Sequence, residues 1–139
     1  MSAAQSWLMI GGLFNLFFST LAAFSLYWVR LRDPSKPAPH YGVITHTSSV
    51  TNGLLLLALA TVIDHTSFTP AIATGFAIAE IVATLLSNGR NLWLWHEGLT
   101  DGFAQTSEWR LRLRGLGNVF HLVVIGSILY GVVRTVLGI

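Results

Sequence analysis

Four long hydrophobic stretches, separated by short polar breaks, organise this chain from end to end. The first runs from about Trp7 to Val29, the second from Tyr41 to Ile63, the third from Pro70 to Trp95 and the fourth over about 117–137. Each reaches the roughly 20 apolar residues that cross a ~30 Å hydrocarbon core. The breaks between them are Arg30–His40, Asp64–Thr69 and His96–Leu116. Lipid offers no partner to an open sheet edge, so spans of this length must be helices. The expectation is an all-α protein, a single membrane domain over 1–139 built as a four-transmembrane-helix bundle. The first stretch has no basic leader and no small-residue cleavage site, so it is expected to stay in the protein as a span.

Composition agrees with the pattern. Apolar residues make up 53% of the chain and charged residues 10%, against about a quarter charged in soluble domains. Mean hydropathy is +0.62. Without cysteine, disulfides, iron–sulfur ligation and thiolate chemistry are excluded. The net charge of +2 comes from a few basic residues in short breaks, which points to topology and not to nucleic acid. Arg30, Arg32 and Lys36 lie in the first break, and Arg90, Arg110, Arg112 and Arg114 lie in or beside the third, with Arg134 apart. The positive-inside rule therefore predicts a multi-pass protein of a bacterial-type inner membrane, with loops one and three cytoplasmic and both termini outside. Trp7, Trp28, Trp93 and Trp95 sit near span ends, where indole rings anchor at the interface.

Polar groups inside these spans are the candidate chemistry, because burying them in lipid is costly without a partner or a function. With ~1.5 Å of rise per residue, His46 lies ~8 Å and Asn52 ~17 Å in from the cytoplasmic side. Asn15, Asn52 and Glu80 then form a layer near the midplane, and His46, His121 and Asn88 a layer nearer the cytoplasm. Helical spacing gathers Glu80, Thr84, Ser87, Asn88 and Asn91 into one stripe on the third span. Thr45, Ser48 or Ser49, and Asn52 share a face of the second, and Arg114, Asn118 and His121 a face of the fourth. Three such seams predict a polar cavity open to the cytoplasm. The structural reading stands beside this one: serines and threonines often serve as packing and hydrogen-bonding glue, Asn52–Gly53 as a packing notch, and Glu80 as a neutral acid bonding a neighbouring helix.

Two intramembrane histidines above a glutamate suit haem, for which imidazole is a common axial ligand. One open face would allow Lewis-acid action on a substrate oxygen. Ligation by both His46 and His121 would instead give an electron carrier. A non-haem metal is less favoured, because only Glu80 joins the two histidines and it lies deeper.

The segment His46-Thr-Ser-Ser-Val-Thr-Asn52-Gly53 resembles the histidine–(five residues)–Asn-Gly segment of styrene oxide isomerases, small four-helix membrane enzymes that convert aryl epoxides to aldehydes. A buried acid on the third helix and Gly98-Leu99-Thr100 followed by Gly102 also lie on that family's pattern, and the likeness covers roughly residues 40 to 131. The resemblance implies a trimer with ferric haem b near subunit interfaces, His46 as the ligand of the haem iron, and a small hydrophobic substrate. It implies a Meinwald rearrangement: ring opening toward a benzylic cation, then a 1,2-hydride shift, with no net redox change. Asn52 matches the family's substrate-orienting asparagine, and Glu80 falls where the family has an aspartate. Asn88 falls where the family has an active-site tyrosine, and His121 has no counterpart. Asn52, Glu80 and Asn88 are thus the candidate catalytic residues, and His46 and His121 the candidate cofactor-binding ones. The alternatives are a haem b electron-transfer or haem-binding protein, and a cofactor-free small transporter or accessory membrane subunit.

Overall fold

The structure, a computed structural model, describes residues 1–102 and 104–138, and among these the side chains of Arg110, Leu113 and Arg114 are left undescribed. The place of Arg114 in the polar seam therefore lies outside the described residues. Among the described residues four helices follow in order: α1 (Ala3–Arg32), α2 (His40–Val62), α3 (Pro70–His96) and α4 (Glu108–Leu137), with a 3₁₀ turn at Ile63–His65 after α2. No strand occurs among the described residues. All four helices are long and apolar enough to cross a membrane.

Local chemistry sets the ends. The Ser2 side chain caps α1 by accepting from the Gln5 amide at 3.1 Å. Thr69 caps α3 by accepting from the Ile72 amide at 3.4 Å, ahead of Pro70 in the first turn. Gly98 closes α3 with φ of 66°, a left-handed conformation that glycine adopts without a Cβ penalty. In the α1–α2 break, the Ser35 hydroxyl donates to Asp33 at 2.6 Å and Lys36 pairs with it at 3.0 Å. These two contacts hold the Asp33 carboxyl below its ordinary range.

Two predicted boundaries need correction. α1 extends three to four residues beyond the predicted span at each end, over Ala3–Arg32. α4 begins at Glu108, so residues 108–116 are helix and not loop. Hydropathy detects only the part of a helix that must sit in lipid, and Gly115–Leu137 of α4 is by itself long and apolar enough for that. The preceding turns are charged but strongly helix-forming, with Arg112 paired to Glu108 one turn earlier at 2.6 Å.

Packing divides the molecule by depth. α1 and α2 meet along Gly12 and Gly53, where a Cβ on either would stand 3.0 Å from the other's carbonyl oxygen. α3 packs against both, and α4 leans mainly on α3 and the 3₁₀ turn. An apolar core of Leu8, Leu56, Ile63, Ala77, Val124 and Ile128 fills the end of the bundle beside the α2–α3 connection. The other half is polar inside, with Asn15, Ser19, Thr45, Ser49, Glu80, Thr84, Asn88 and Asn91 buried. Large apolar side chains such as Phe14, Phe17, Phe24 and Leu13 face outward, the arrangement expected where lipid and not water is the solvent.

Candidate functional site

The buried polar half is built from a chain of amides. Asn15 on α1 donates to the Gly11 carbonyl at 2.9 Å and to the Thr84 hydroxyl at 3.4 Å. Asn88 on α3 donates to Asn15 Oδ1 at 2.6 Å, and Asn52 on α2 donates to Asn88 Oδ1 at 3.1 Å. Asn91 continues the chain by donating to Ser48 Oγ at 3.1 Å. Three helices are thus joined through side chains that lipid would leave unsatisfied. Asn88 holds the junction, one amide group bonded to α1 and α2 at once.

His46 lies off this seam, on the face of α2 turned to α1. Its Nδ1 stands 2.8 Å from Ser19 Oγ and 3.1 Å from the Ser19 carbonyl oxygen. The Ser19 hydroxyl donates to the His46 backbone carbonyl at 3.1 Å, so its oxygen is left to accept from the ring. Both groups beside Nδ1 therefore act as acceptors, which assigns the ring proton to Nδ1 and the lone pair to Nε2. No hydrogen bond to Nε2 occurs among the described residues.

Glu80 and His121 form a second, separate pair. Glu80 is fully buried on α3, and its Oε1 lies 2.7 Å from His121 Nδ1 on α4. Neither carboxyl oxygen has an aligned hydrogen bond among the described residues, so acid and ring approach closely at an angle that is poor for one. Among the described residues Glu80 has no other polar partner, so the His121 ring is the group this buried acid faces. The His121 side chain is one-third exposed, at 33%, and it opens onto a cavity of about 870 Å³ between α3 and α4. Asn52, Thr84, Ser87, Arg90 and Asn118 supply polar groups to the walls, and Leu86, Trp93, Leu116 and Phe120 supply apolar surface. That size and mixture suit a small hydrophobic molecule with one polar function.

Among the sequence-predicted residues, Asn52 and Asn88 come together, and Glu80 meets His121. His46 and His121 do not meet within the chain: one is engaged by α1 and the other by α3. Asn88 is nearly fully buried, at 3% exposed, and joins helices instead of lining the cavity. Sequence reasoning passed over Ser19, although it follows Asn15 by four residues and so shares its face. It also passed over Arg90, Trp109 and Thr106 as cavity walls, because their approach depends on how α4 and the preceding loop fold back. Among the described residues no group of three or more His, Cys, Asp or Glu side chains converges as a metal site. No family model, no curated protein and no solved structure matches this chain.

Proposed function

We propose that this protein is a haem-dependent membrane isomerase that converts a small aryl epoxide into an aldehyde, and that it works as a homo-oligomer, the trimer that the resemblance implies. The observation that carries this reading is the state of His46. Its Nδ1 proton is held by Ser19 and its Nε2 lone pair has no hydrogen-bond partner among the described residues, the arrangement typical of a metal-ligating imidazole whose other nitrogen is oriented by a hydrogen bond. Haem suits such a residue because the macrocycle brings its own nitrogens and asks the protein for only one or two ligands. Ferric haem b on His46 would supply a Lewis acid for the substrate oxygen.

The chain's own residues then bind and orient. Leu86, Trp93 and Phe120 offer apolar surface to an aromatic ring, and Asn52, held by Asn88, offers a fixed amide at the cavity wall. Apolar walls limit water, which protects a benzylic cation long enough for the 1,2-hydride shift. His46 faces α1 whereas the cavity lies between α3 and α4. Haem and cavity therefore need a neighbouring protomer to meet, which is why the oligomer belongs to the proposal.

An electron carrier with both His46 and His121 on the iron draws less support, since each imidazole already has a different helix as its partner. The buried Glu80–His121 pair favours one second reading, a cofactor-free small transporter or accessory subunit in which that pair carries a proton. Incubating detergent-purified protein from haem-replete cells with styrene oxide separates them. The isomerase reading expects phenylacetaldehyde from the wild type and none from His46→Ala. Absence of aldehyde from haem-loaded wild type would overturn it, and undiminished turnover by His46→Ala would remove His46 from the site.

A further inference from the structure

Apart from His46 and its Ser19 partner, the Glu80–His121 pair joins α3 to α4 beside the cavity. Glu80 has no exposed side-chain surface, whereas His121 stands between it and the cavity. With Nδ1 turned to the carboxyl, Nε2 is the ring nitrogen left for a ligand. A membrane interior disfavours net charge, so the pair is expected to hold one proton beyond the carboxylate–imidazole state. That proton resides on the acid or on the ring. In either form Nε2 carries a hydrogen: the neutral acid donates to a bare Nδ1, or the carboxylate accepts from a doubly protonated ring. Arg90 is the other charged group lining the cavity among the described residues; α2 contributes Asn52, and α1 does not line it.

We propose that His121 is a general acid–base group facing the α3–α4 cavity, that Glu80 is its positioning carboxyl, and that the ligand there is a small neutral hydrophobic molecule bearing one oxygen acceptor. For the reaction the inference rests on the isomerase reading. As the benzylic C–O bond breaks, the Nε2 proton passes to the epoxide oxygen. The 1,2-hydride shift then yields a protonated aldehyde, which returns that proton to Nε2. Atoms and electrons balance with no external reagent. An epoxide oxygen has two lone pairs, so this donor and a Lewis acid can act on it together.

The test uses haem-replete full-length protein in detergent and acetophenone, labelled with ¹³C at its carbonyl, as an unreactive probe read by difference infrared spectroscopy. The carbonyl stretch is expected to move to lower frequency on binding to the wild type. That movement should vanish in His121→Phe while the probe still binds by equilibrium dialysis, with His121→Leu as the second variant should the bulkier ring prevent folding. With styrene oxide, His121→Phe should lose on the order of 10²-fold in kcat, and Glu80→Gln should lower kcat while KM holds. An unchanged carbonyl shift in both His121 variants, or no probe binding to the wild type, would overturn the proposal. A shift that depends on His121 without any epoxide turnover keeps the dyad and removes the isomerase reading. Turnover that stays complete in His121→Phe keeps the isomerase and removes the dyad.

Discussion

Asn88 illustrates how much a single residue carries in this protein. Its amide accepts from Asn52 and donates to Asn15, so removing it leaves the buried Asn15 Oδ1 and the half-buried Asn52 Nδ2, on two other helices, without these bonds. Interhelical polar contacts in membranes are worth about 0.6 kcal/mol on average and up to about 1.7. Asn88→Ala is therefore expected to lower stability by ~1–2 kcal/mol, read as a shift in the unfolding midpoint in mixed detergent, and an unshifted midpoint would mean that the amide chain does not hold the helices. The midplane amides and Glu80 were legible from sequence, because a polar side chain in a run of leucines and alanines has few explanations. Ser19 was not, because serine is common in such helices and only its contact with His46 Nδ1 gives it meaning.

At the scale of the element, the α1–α2 contact depends on backbone proximity. A Cβ on Gly12 would lie 2.8 Å from Leu57 Cγ and 3.0 Å from the Gly53 carbonyl oxygen. The backbone oxygen cannot move aside as a side-chain end would, so Gly12→Val must separate the two helices. The cost is expected to be at least ~1–3 kcal/mol, and because Ser19 lies two turns further along the same helix, haem retention should fall with stability. Gly126→Val, which meets nothing within 4 Å, is the control and should leave both unchanged. If Gly12→Val were as stable as that control, the close approach would not be a feature of the protein in its membrane. Helix positions followed directly from hydropathy, whereas the first turns of α4 did not. Charged residues there satisfy helix propensity without satisfying the bilayer, and a search for spans is blind to them.

For the whole molecule, class and helix number were readable because lipid permits so few solutions. Helix rotation was not readable: the sequence put His46 and His121 at one depth, and the fold turned them to different neighbours. Depth is a one-dimensional property that counting supplies, but facing depends on packing among all four helices. Topology can be tested directly. The chain start and the α2–α3 connection lie at one end, tied by the Ser2 hydroxyl donating to the Asp64 carboxylate. Arg30, Arg32 and Lys36 lie at the other. The positive-inside rule then predicts that a cysteine at Ser67 reacts with a membrane-impermeant maleimide in intact cells, and that one at Ser35 reacts only after lysis. The reverse pattern would invert the orientation and with it the side to which the α3–α4 cavity opens.

The central claim, that this bundle holds haem through His46, is tested most directly by the ultraviolet–visible spectrum of detergent-purified protein from haem-replete cells, as isolated and after dithionite. The expected result is a stoichiometric Soret band with a ferric spectrum of open coordination, absent in His46→Ala. In Ser19→Ala it should be retained with affinity weakened about 10–100-fold, as loss of an orienting partner predicts. A flat visible spectrum that persists after haem is supplied, or a Soret band unchanged in His46→Ala, would contradict it.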